Sequence, residues 1–530
     1  VVHKRGYPLQ SGSTRGDSGG IPLSIHDGLD KELASMGFLR LSTPGLERLA
    51  DDAMERTFMA GLDCVPTHCR KTWDGAETLR LERETRESGN IYVPWAVDGH
   101  GELLLSTATL MERERPYDLA VEVARGTVNR LRSKAETWGL AGLRLSDNLT
   151  AQILAASRSF IRAATSQQDR EAAEAAAQTA IRQALDAMNV LGAEYAKQAL
   201  EYRHQGGQRL PTLLVGNVGD EAMPANIEPM FRAAFNAAAV PFHWSDIQPE
   251  PDRWEWARCD KQVQWCVRNG LKVICGPLVR LARQSVPIWL AGATPTDLTA
   301  IAKAARKFVE AAVERYRGQV HLWHGVAAAT ADPWLGDDHS LRLTVLLVEA
   351  ARRRDPRTPV FISVDQPWGE SSAFKQATLS PLQFVDFLLR ADVEIAGIGL
   401  EIDYGYWPGG TLPRDVLEIT EHIDLWALLG MPLIAMLTLP SSLDADALAT
   451  DRSQILRSAF PGGPSPQNQK RLLDQLLPAL LAKQSVQAIV WNQVFDFVPH
   501  RYAHGGLFNA QALPKPALNS LLALRREHLT

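Results

Sequence analysis

The chain is poor in cysteine, with five in 530 residues (Cys64, Cys69, Cys259, Cys266 and Cys275). So odd and sparse a set excludes a disulfide framework, and makes a reducing, cytoplasmic compartment the default unless an export signal has been removed by processing. Cys64 and Cys69 flank His68, but this C-x4-C spacing has no second ligand pair behind it, so no structural zinc is expected. An excess of either charge is also lacking. Lys and Arg number 56 against 61 Asp and Glu, a net charge of -5, which argues against nucleic acid as a partner. No apolar run reaches about 18 residues, so no membrane span is expected. Residues 1–35 are rich in Gly, Ser and charge without the apolar core of a secretory leader, and read as a flexible tail. The sequence contains no G-x-S-x-G elbow, no H-E-x-x-H helix and no P-loop. His243, His321, His324, His500 and His504 come from different segments without paired carboxylate spacing, so neither a metal nor another cofactor is expected.

What is present suffices for a large core, since 45% of residues are hydrophobic. At about 150 residues per domain, the length calls for more than one. Residues 36–118 show short alternating runs broken by turn residues, such as Asn90–Trp95 and Glu102–Thr107, and predict a β-rich, sandwich-like module. Residues 119–209 turn alanine-rich; Asp169–Ala187 holds strong helix formers and no Gly or Pro, predicting a helical connector. Residues 210–530 carry eight short apolar runs: Thr212–Val215, Val240–Trp244, Leu271–Cys275, Val320–Val326, Val360–Val364, Ile395–Ile402, Leu433–Leu439 and Ala488–Val494. Helical patterns such as Leu298–Tyr316, Leu341–Arg354 and Asp415–Leu429 lie between them. Eight strand–helix alternations predict an α/β fold, a closed (β/α)8 TIM barrel. The competing open doubly wound sheet calls for a glycine-rich phosphate loop after the first strand, and Val215–Gly219 is not followed by one.

Barrel active sites lie at the carboxyl ends of the strands. Run two ends in Trp244, Ser245 and Asp246, with Glu250 beyond; run five in Asp365, Gln366 and Trp368. Run six ends in Glu401, Asp403 and Tyr404 with Trp407 following, and run eight in Trp491, Asn492 and Gln493 with Asp496 beyond. Indole faces suit the C–H faces of sugar rings, while carboxylates and amides take the hydroxyls; the other reading of each Trp is filler between strand and helix. Glu401 and Asp403, two apart on one strand, point to the same side with Cα atoms roughly 6–7 Å apart. Such a pair can divide into an acid and a base. It can equally be a set of hydroxyl acceptors, or a layer residue paired with an arginine.

Several blocks here resemble glycoside hydrolase family 10, the xylanase-type retaining enzymes. They are Trp244–Glu250 with Trp254-Glu255-Trp256 and Asp260; Gly276–Val279 with Val286–Leu290; Gly397–Glu401; and Trp491–Asp496 with Gly506–Phe508 and Pro514–Ala517. The resemblance runs from about Leu213 to Leu522 and implies a barrel acting on O-glycosyl bonds. It breaks at the chemistry. Where the family has W-x-x-x-N-E after strand four, this chain reads Trp323-His324-Gly325-Val326-Ala327-Ala328. Where the family has T-E-x-D after strand seven, it reads Thr438-Leu439-Pro440. The double displacement needs two carboxyls about 5–5.5 Å apart and does not carry over.

Two expectations follow. One is a divergent glycoside hydrolase acting on a polysaccharide or oligosaccharide, with relocated catalytic carboxylates Glu401, Asp403 and Asp365. Its substrate-binding set is Trp244, Asp246, Glu250, Gln366, Trp368, Tyr404, Trp407, Trp491, Asn492, Gln493 and Asp496. The other is a non-catalytic glycan-binding pseudoenzyme that kept the groove. A phosphate- or metal-dependent barrel ranks third, because the ends of strands seven and eight lack a glycine-rich loop. Tyr92, Trp95 and Tyr117 of the β-module either bind carbohydrate or brace the barrel, with bracing favoured.

Overall fold

A computed structural model of the chain describes residues 37–43, 52–75, 77–290, 298–330, 333–375 and 379–530. The expected tail at 1–35 lies outside the described residues.

Eight parallel strands form the carboxyl-terminal part: Leu213–Asn217, Ala237–Val240, Lys272–Cys275, Leu322–Ala327, Val360–Asp365, Gly397–Asp403, Leu433–Thr438 and Val486–Trp491. Each pairs with its neighbours in chain order, and the eighth returns to the first through Ala488↔Leu213 to Trp491↔Gly216. The sheet is therefore closed, a (β/α)8 barrel, and an open sheet is excluded. Helices such as Leu298–Tyr316, Asp337–Arg354, Val416–Ala427 and Pro466–Ala482 surround it. The sixth helix starts on Asp415, whose side chain accepts from the Glu418 N–H, and the seventh on Ser465, which accepts from Asn468.

One strand differs from its predicted position. The second strand is Ala237–Val240, not Val240–Trp244, and Trp244 opens a short helical turn, Trp244–Ile247. Pro241 has no N–H for the ladder, so pairing stops before it. The three alanines that precede Val240 give a weak strand signal, yet small side chains fit the crowded lumen.

The lumen is layered. Val215, Ala237, Ile274, Phe361, Ile434, Met436, Ala488 and Val490 pack into an apolar plug. Toward the carboxyl ends the inward positions turn polar. Phe361 is succeeded by Ser363 and Asp365, Gly399 by Glu401 and Asp403, and Met436 by Thr438. Because alternate residues face inward, one register fixes all of these at once.

The amino-terminal part holds two four-stranded sheets. One orders Arg70–Trp73, Thr78–Arg83, Gly37–Ser42 and Tyr117–Asp118; the other Pro66–Thr67, Phe58–Ala60, Asn90–Val97 and Gly101–Ser106. Leu39, Leu41, Leu79 and Leu81 of the first share a core with Met59, Ile91, Val93, Leu103 and Leu105 of the second. The same core takes in Val121, Val128, Leu149, Ala156, Ala180 and Leu185 from the connector helices Leu119–Leu140, Asp147–Thr165 and Arg170–Arg203. Module and connector are thus built around one interior. Tyr92 stacks on Phe58 at 5.1 Å, the Trp95 indole donates to Gln178, and the Tyr117 hydroxyl donates to the Met111 carbonyl, so all three are tied into packing.

This unit is fastened to the barrel rim beside its carboxyl end. Arg130 of the first connector helix bridges Asp415 and Glu418 at the start of the sixth barrel helix. The Leu104 N–H donates to the Pro413 carbonyl at 2.7 Å, and Phe58 packs edge-on against Phe374 at 5.9 Å. Buried Arg414 pairs with buried Glu370 at 2.7 Å, joining the loops after strands six and five. The first connector helix approaches the module so closely at Gly126 that a Cβ there would fall on the Ser106 carbonyl oxygen.

Gly126→Ala is therefore expected to lower stability by about 1–3 kcal/mol through overpacking, although alanine favours a helix elsewhere. Urea denaturation followed by circular dichroism measures this, and unchanged or increased stability would contradict the close approach.

Candidate functional site

Three of the predicted residues meet at the carboxyl end of the barrel. Asp365 on strand five is register-paired with Glu401 on strand six, and Asp403 with Thr438 on strand seven. All three carboxyls are buried. Glu401 is fully engaged. Its Oε1 accepts from Ser363 at 2.7 Å, and its Oε2 accepts from Arg501 at 2.9 Å and from Arg280 at 3.4 Å. The Ser363 proton is committed to Glu401, so His324, 2.9 Å from the Ser363 oxygen, must donate to it through Nε2. His324 also stacks on Phe361 at 4.3 Å, and burial lowers its pKa to about 4, keeping it neutral.

The two residues of the pair are driven apart in charge. Burial alone would raise the Glu401 carboxyl, but Arg280, Arg501 and the Ser363 hydroxyl outweigh it and hold it at about 2. Burial raises Asp403 to about 6, with the pull of Arg501 at 3.6 Å opposed by the charge of Glu401. Asp403 Oδ1 closes no hydrogen bond, and neither does the facing hydroxyl of Thr438. Asp365 is also raised, by burial and then by Glu401; Thr330 donates to it at 3.2 Å. The site thus holds one permanently ionised carboxylate beside two carboxyls biased toward the protonated form. Two left-handed residues flank it at strand ends, Ala328 (φ 54°) and Gln366 (φ 47°), conformations that carry strain in residues with a Cβ.

The other predicted residues are placed as follows. Trp244 is buried against Phe308 at 5.8 Å, and its indole donates to Gln248. Trp491 is buried and donates to the Gly505 carbonyl. Trp368 lies between His422, stacked at 4.3 Å, and the Arg414 guanidinium at 4.4 Å. Tyr404 packs against Phe460 at 5.5 Å. Trp407 is half-buried and edge-on to Phe374 at 4.9 Å. Gln366 donates to the Pro408 and Gly410 carbonyls, bracing the loop that carries Trp407. Gln493 donates to Asp496 at 3.0 Å, and buried Asp496 is ion-paired with Lys515. Asn492 is half-buried just past strand eight. Asp246 and Glu250 are exposed on the loop after strand two, with Glu250 paired to Arg253 at 3.4 Å. The structure therefore brings the three carboxylates together and uses most of the aromatic residues as packing.

Arg280, Arg501, Ser363 and His324 complete the site without having been picked as part of it. Arg280 follows a Gly-Pro interruption after strand three, on a two-residue extension that pairs with Val326 and Ala327 of strand four. Arg501 comes from the long segment after strand eight, where no spacing foretells its reach. The Ser363–Asp365 alternation was the one signal within reach, since residues two apart share a side.

Among the described residues no group of three or more His, Cys, Asp or Glu can hold a metal ion, and no helix is long and apolar enough to cross a membrane. His500 and His504 both face Asp446, while His321 and His243 lie elsewhere, with His243 3.0 Å from Asp220.

A closed parallel barrel with its carboxylates at the carboxyl ends of the strands defines the class: a (β/α)8 barrel with a candidate active site at the usual end. Residues 218–343 match the sequence model of Glycosyl hydrolase family 10. The match covers part of the barrel, which is similar to that family's barrel in divergent form. Solved structures similar to it include a Thermobacillus composti GH10 xylanase, with 18% identity over 59% of this chain and 96% of that one and a TM-score of 0.43. A second is xylanase 10B from Thermotoga petrophila RKU-1 in complex with xylobiose, with 17% identity, 63% and 97% coverage and a TM-score of 0.44. A third is a GH10 structure from Paenibacillus barcinonensis, with 18% identity, 61% and 96% coverage and a TM-score of 0.45. No curated protein matches the chain. The residues at the two departures, Ala328 after strand four and Leu439 after strand seven, are both buried.

The opposed shifts of Glu401 and Asp403 give stability a predictable pH dependence. Asp403 has a folded pKa above its unfolded value of 3.8, so its contribution is present below that value and is lost as pH rises through about 6. Glu401 has a folded pKa below its unfolded 4.5, so its contribution is present above 4.5 and is lost as pH falls toward about 2. Asp403→Asn should therefore gain stability over wild type between pH 4 and pH 8, by of the order of 2 kcal/mol. Glu401→Gln, which leaves two guanidiniums facing a neutral amide, should cost about 3–5 kcal/mol at pH 7 and progressively less below pH 4. Denaturant titrations across pH check both, and a pH-independent difference for Asp403→Asn would refute its raised pKa.

Proposed function

We propose that the barrel is a carbohydrate-active site that hydrolyses O-glycosyl bonds of an oligosaccharide or polysaccharide through relocated carboxylates. One observation carries this reading: two buried carboxyls on one strand, Glu401 and Asp403, are held in opposite charge states at the carboxyl end of the barrel. Asp403, protonated up to about pH 6, donates its proton to the glycosidic oxygen as the bond from that oxygen to the anomeric carbon breaks. Glu401 stays ionised and stabilises the positive charge that develops on the sugar ring. A water molecule attacks the anomeric carbon and gives its proton to Asp365. The reactive form is thus the one in which Asp365 has ionised despite its raised pKa while Asp403 keeps its proton, and proton exchange with solvent then restores both.

A second reading is a glycan-binding barrel without turnover. It is favoured by the apolar residues Ala328 and Leu439 at the positions where the family's two glutamates are expected, and by the full occupation of both Glu401 oxygens.

Release of reducing ends from xylans, glucans, mannans, galactans, arabinans and aryl glycosides tests the proposal. Wild type should hydrolyse at least one class, with kcat/KM falling as pH rises through about 6. Asp403→Asn should lower kcat by about 10²–10⁴-fold and flatten that limb, with a smaller loss on aryl glycosides whose leaving group needs no proton. Hydrolysis that survives replacement of Glu401, Asp403 and Asp365 together by amides would show the assignment to be wrong. Binding to a glycan with no product would establish the second reading.

A further inference from the structure

We infer that the barrel mouth recognises a carboxylate-bearing sugar, a uronic acid residue of the glycan, through the guanidinium of Arg280. This names the substrate class for the site proposed above and rests on that reading.

The inference starts from guanidinium donors that the carboxylates of the site leave unused. Arg501 binds Glu401 at 2.9 Å through Nη1. The same Nη1 lies 3.6 Å from Asp403, and Nε lies 3.7 Å from Asp451, so Arg501 is committed on both edges. Arg280 reaches Glu401 with Nη2 alone, at the longer distance of 3.4 Å, and has no other acceptor among the described residues. Its side chain is 22% exposed, whereas Glu401 beneath it is 4% exposed. A guanidinium offers five donors in a planar fork that matches a carboxylate edge to edge. Most of that fork is uncommitted in a side chain that is partly exposed.

The position of Arg280 strengthens the point. It is register-paired with Ala327, one residue before Ala328 at the end of strand four. These two alanines stand where the family resemblance leads one to expect an amide and a carboxylic acid, so the place of an acid has a cation for its neighbour. The remaining titratable groups of the mouth do not cancel this preference. With Asp403 and Asp365 pushed toward the neutral form and His324 neutral, the two guanidiniums of Arg280 and Arg501 balance the two charges of Glu401 and Asp451, so no further anion among the described residues takes up the unused donors of Arg280. An anionic substituent on the sugar would complete the pairing of Arg280 in a partly desolvated site, where such pairs gain most.

The test uses the full chain and matched pairs of glycans: oligogalacturonides and glucuronate-substituted xylo-oligosaccharides, each beside its carboxyl-reduced form, which keeps the sugar and linkage but loses the charge. Calorimetric titration at low salt should give at least one acid form a Kd lower than that of its reduced partner by about tenfold or more. That preference should shrink between about 50 and about 500 mM salt. Arg280→Gln should abolish the preference, so that acid and reduced forms bind alike whatever the absolute affinity of the variant. Equal affinity of acid and reduced forms, or a preference that survives Arg280→Gln, would overturn the inference. The wild-type comparison and its salt dependence decide the matter even if the variant fails to fold. Neutral glycans bound or cleaved with no preference for the acid would sink this inference alone. Absence of binding and cleavage with every glycan would remove the functional reading as well.

Discussion

The carboxylate of Glu401 is the group around which the upper barrel is arranged. A charge taken out of water at this depth is strongly unfavourable unless its lone pairs are met. Here they are met by three elements far apart in sequence: Ser363 on strand five, Arg280 beyond strand three and Arg501 beyond strand eight. Each contact imposes a condition. Ser363 spends its proton on Glu401 and so fixes which nitrogen of His324 carries hydrogen. Arg501 pulls the segment after strand eight over the mouth, where it also reaches Asp403 and Asp451. Burial, with the fixed negative charge of Glu401 adding to it, raises the neighbouring carboxyls Asp365 and Asp403.

The aromatic residues illustrate how a plausible chemical role yields to packing. Trp244, Trp368 and Trp491 sit close to strand ends, but each indole is occupied by protein. Phe308 covers Trp244, His422 and Arg414 sandwich Trp368, and the Gly505 carbonyl holds Trp491. Large side chains bury the most area per residue and so are drawn into the seam between strands and helices. Trp407 is the exception in placement. It stands half-buried on a loop braced by Gln366, and Phe374 links it to Phe58 of the β-module. The module and connector therefore do more than precede the barrel: Leu104 at Pro413, Phe58 at Phe374 and Arg130 at Asp415 and Glu418 tie them to the loops that follow strands five and six.

Within the barrel, the family likeness and the chemistry part company for a simple reason. The closed sheet depends on patterns of small and apolar side chains that many sequences satisfy. Catalysis depends on single side chains at the strand ends, and there Ala328 and Leu439 have no proton to give or take. What remains is a pair, Glu401 and Asp403, whose charge states are separated by two arginines and by burial.

The sequence by itself determined the eight-fold alternation, the helical connector and the β-rich module, because periodicity and turn residues act locally. It also determined that Glu401 and Asp403 face the same way and that Asp365 stands at the end of its own strand, since alternation along a strand is a local property. It misplaced strand two, because Pro241 ends the ladder at the point where the apolar run Val240–Trp244 begins. Only the tertiary structure decided that the three carboxyls share one cluster, that Arg280 and Arg501 converge on Glu401, and that most indoles are interior. Those facts arise from side chains meeting across 36 to 121 residues of chain, as Asp365 meets Glu401 and Arg280 meets Glu401. No local pattern encodes such meetings; closure of the barrel does.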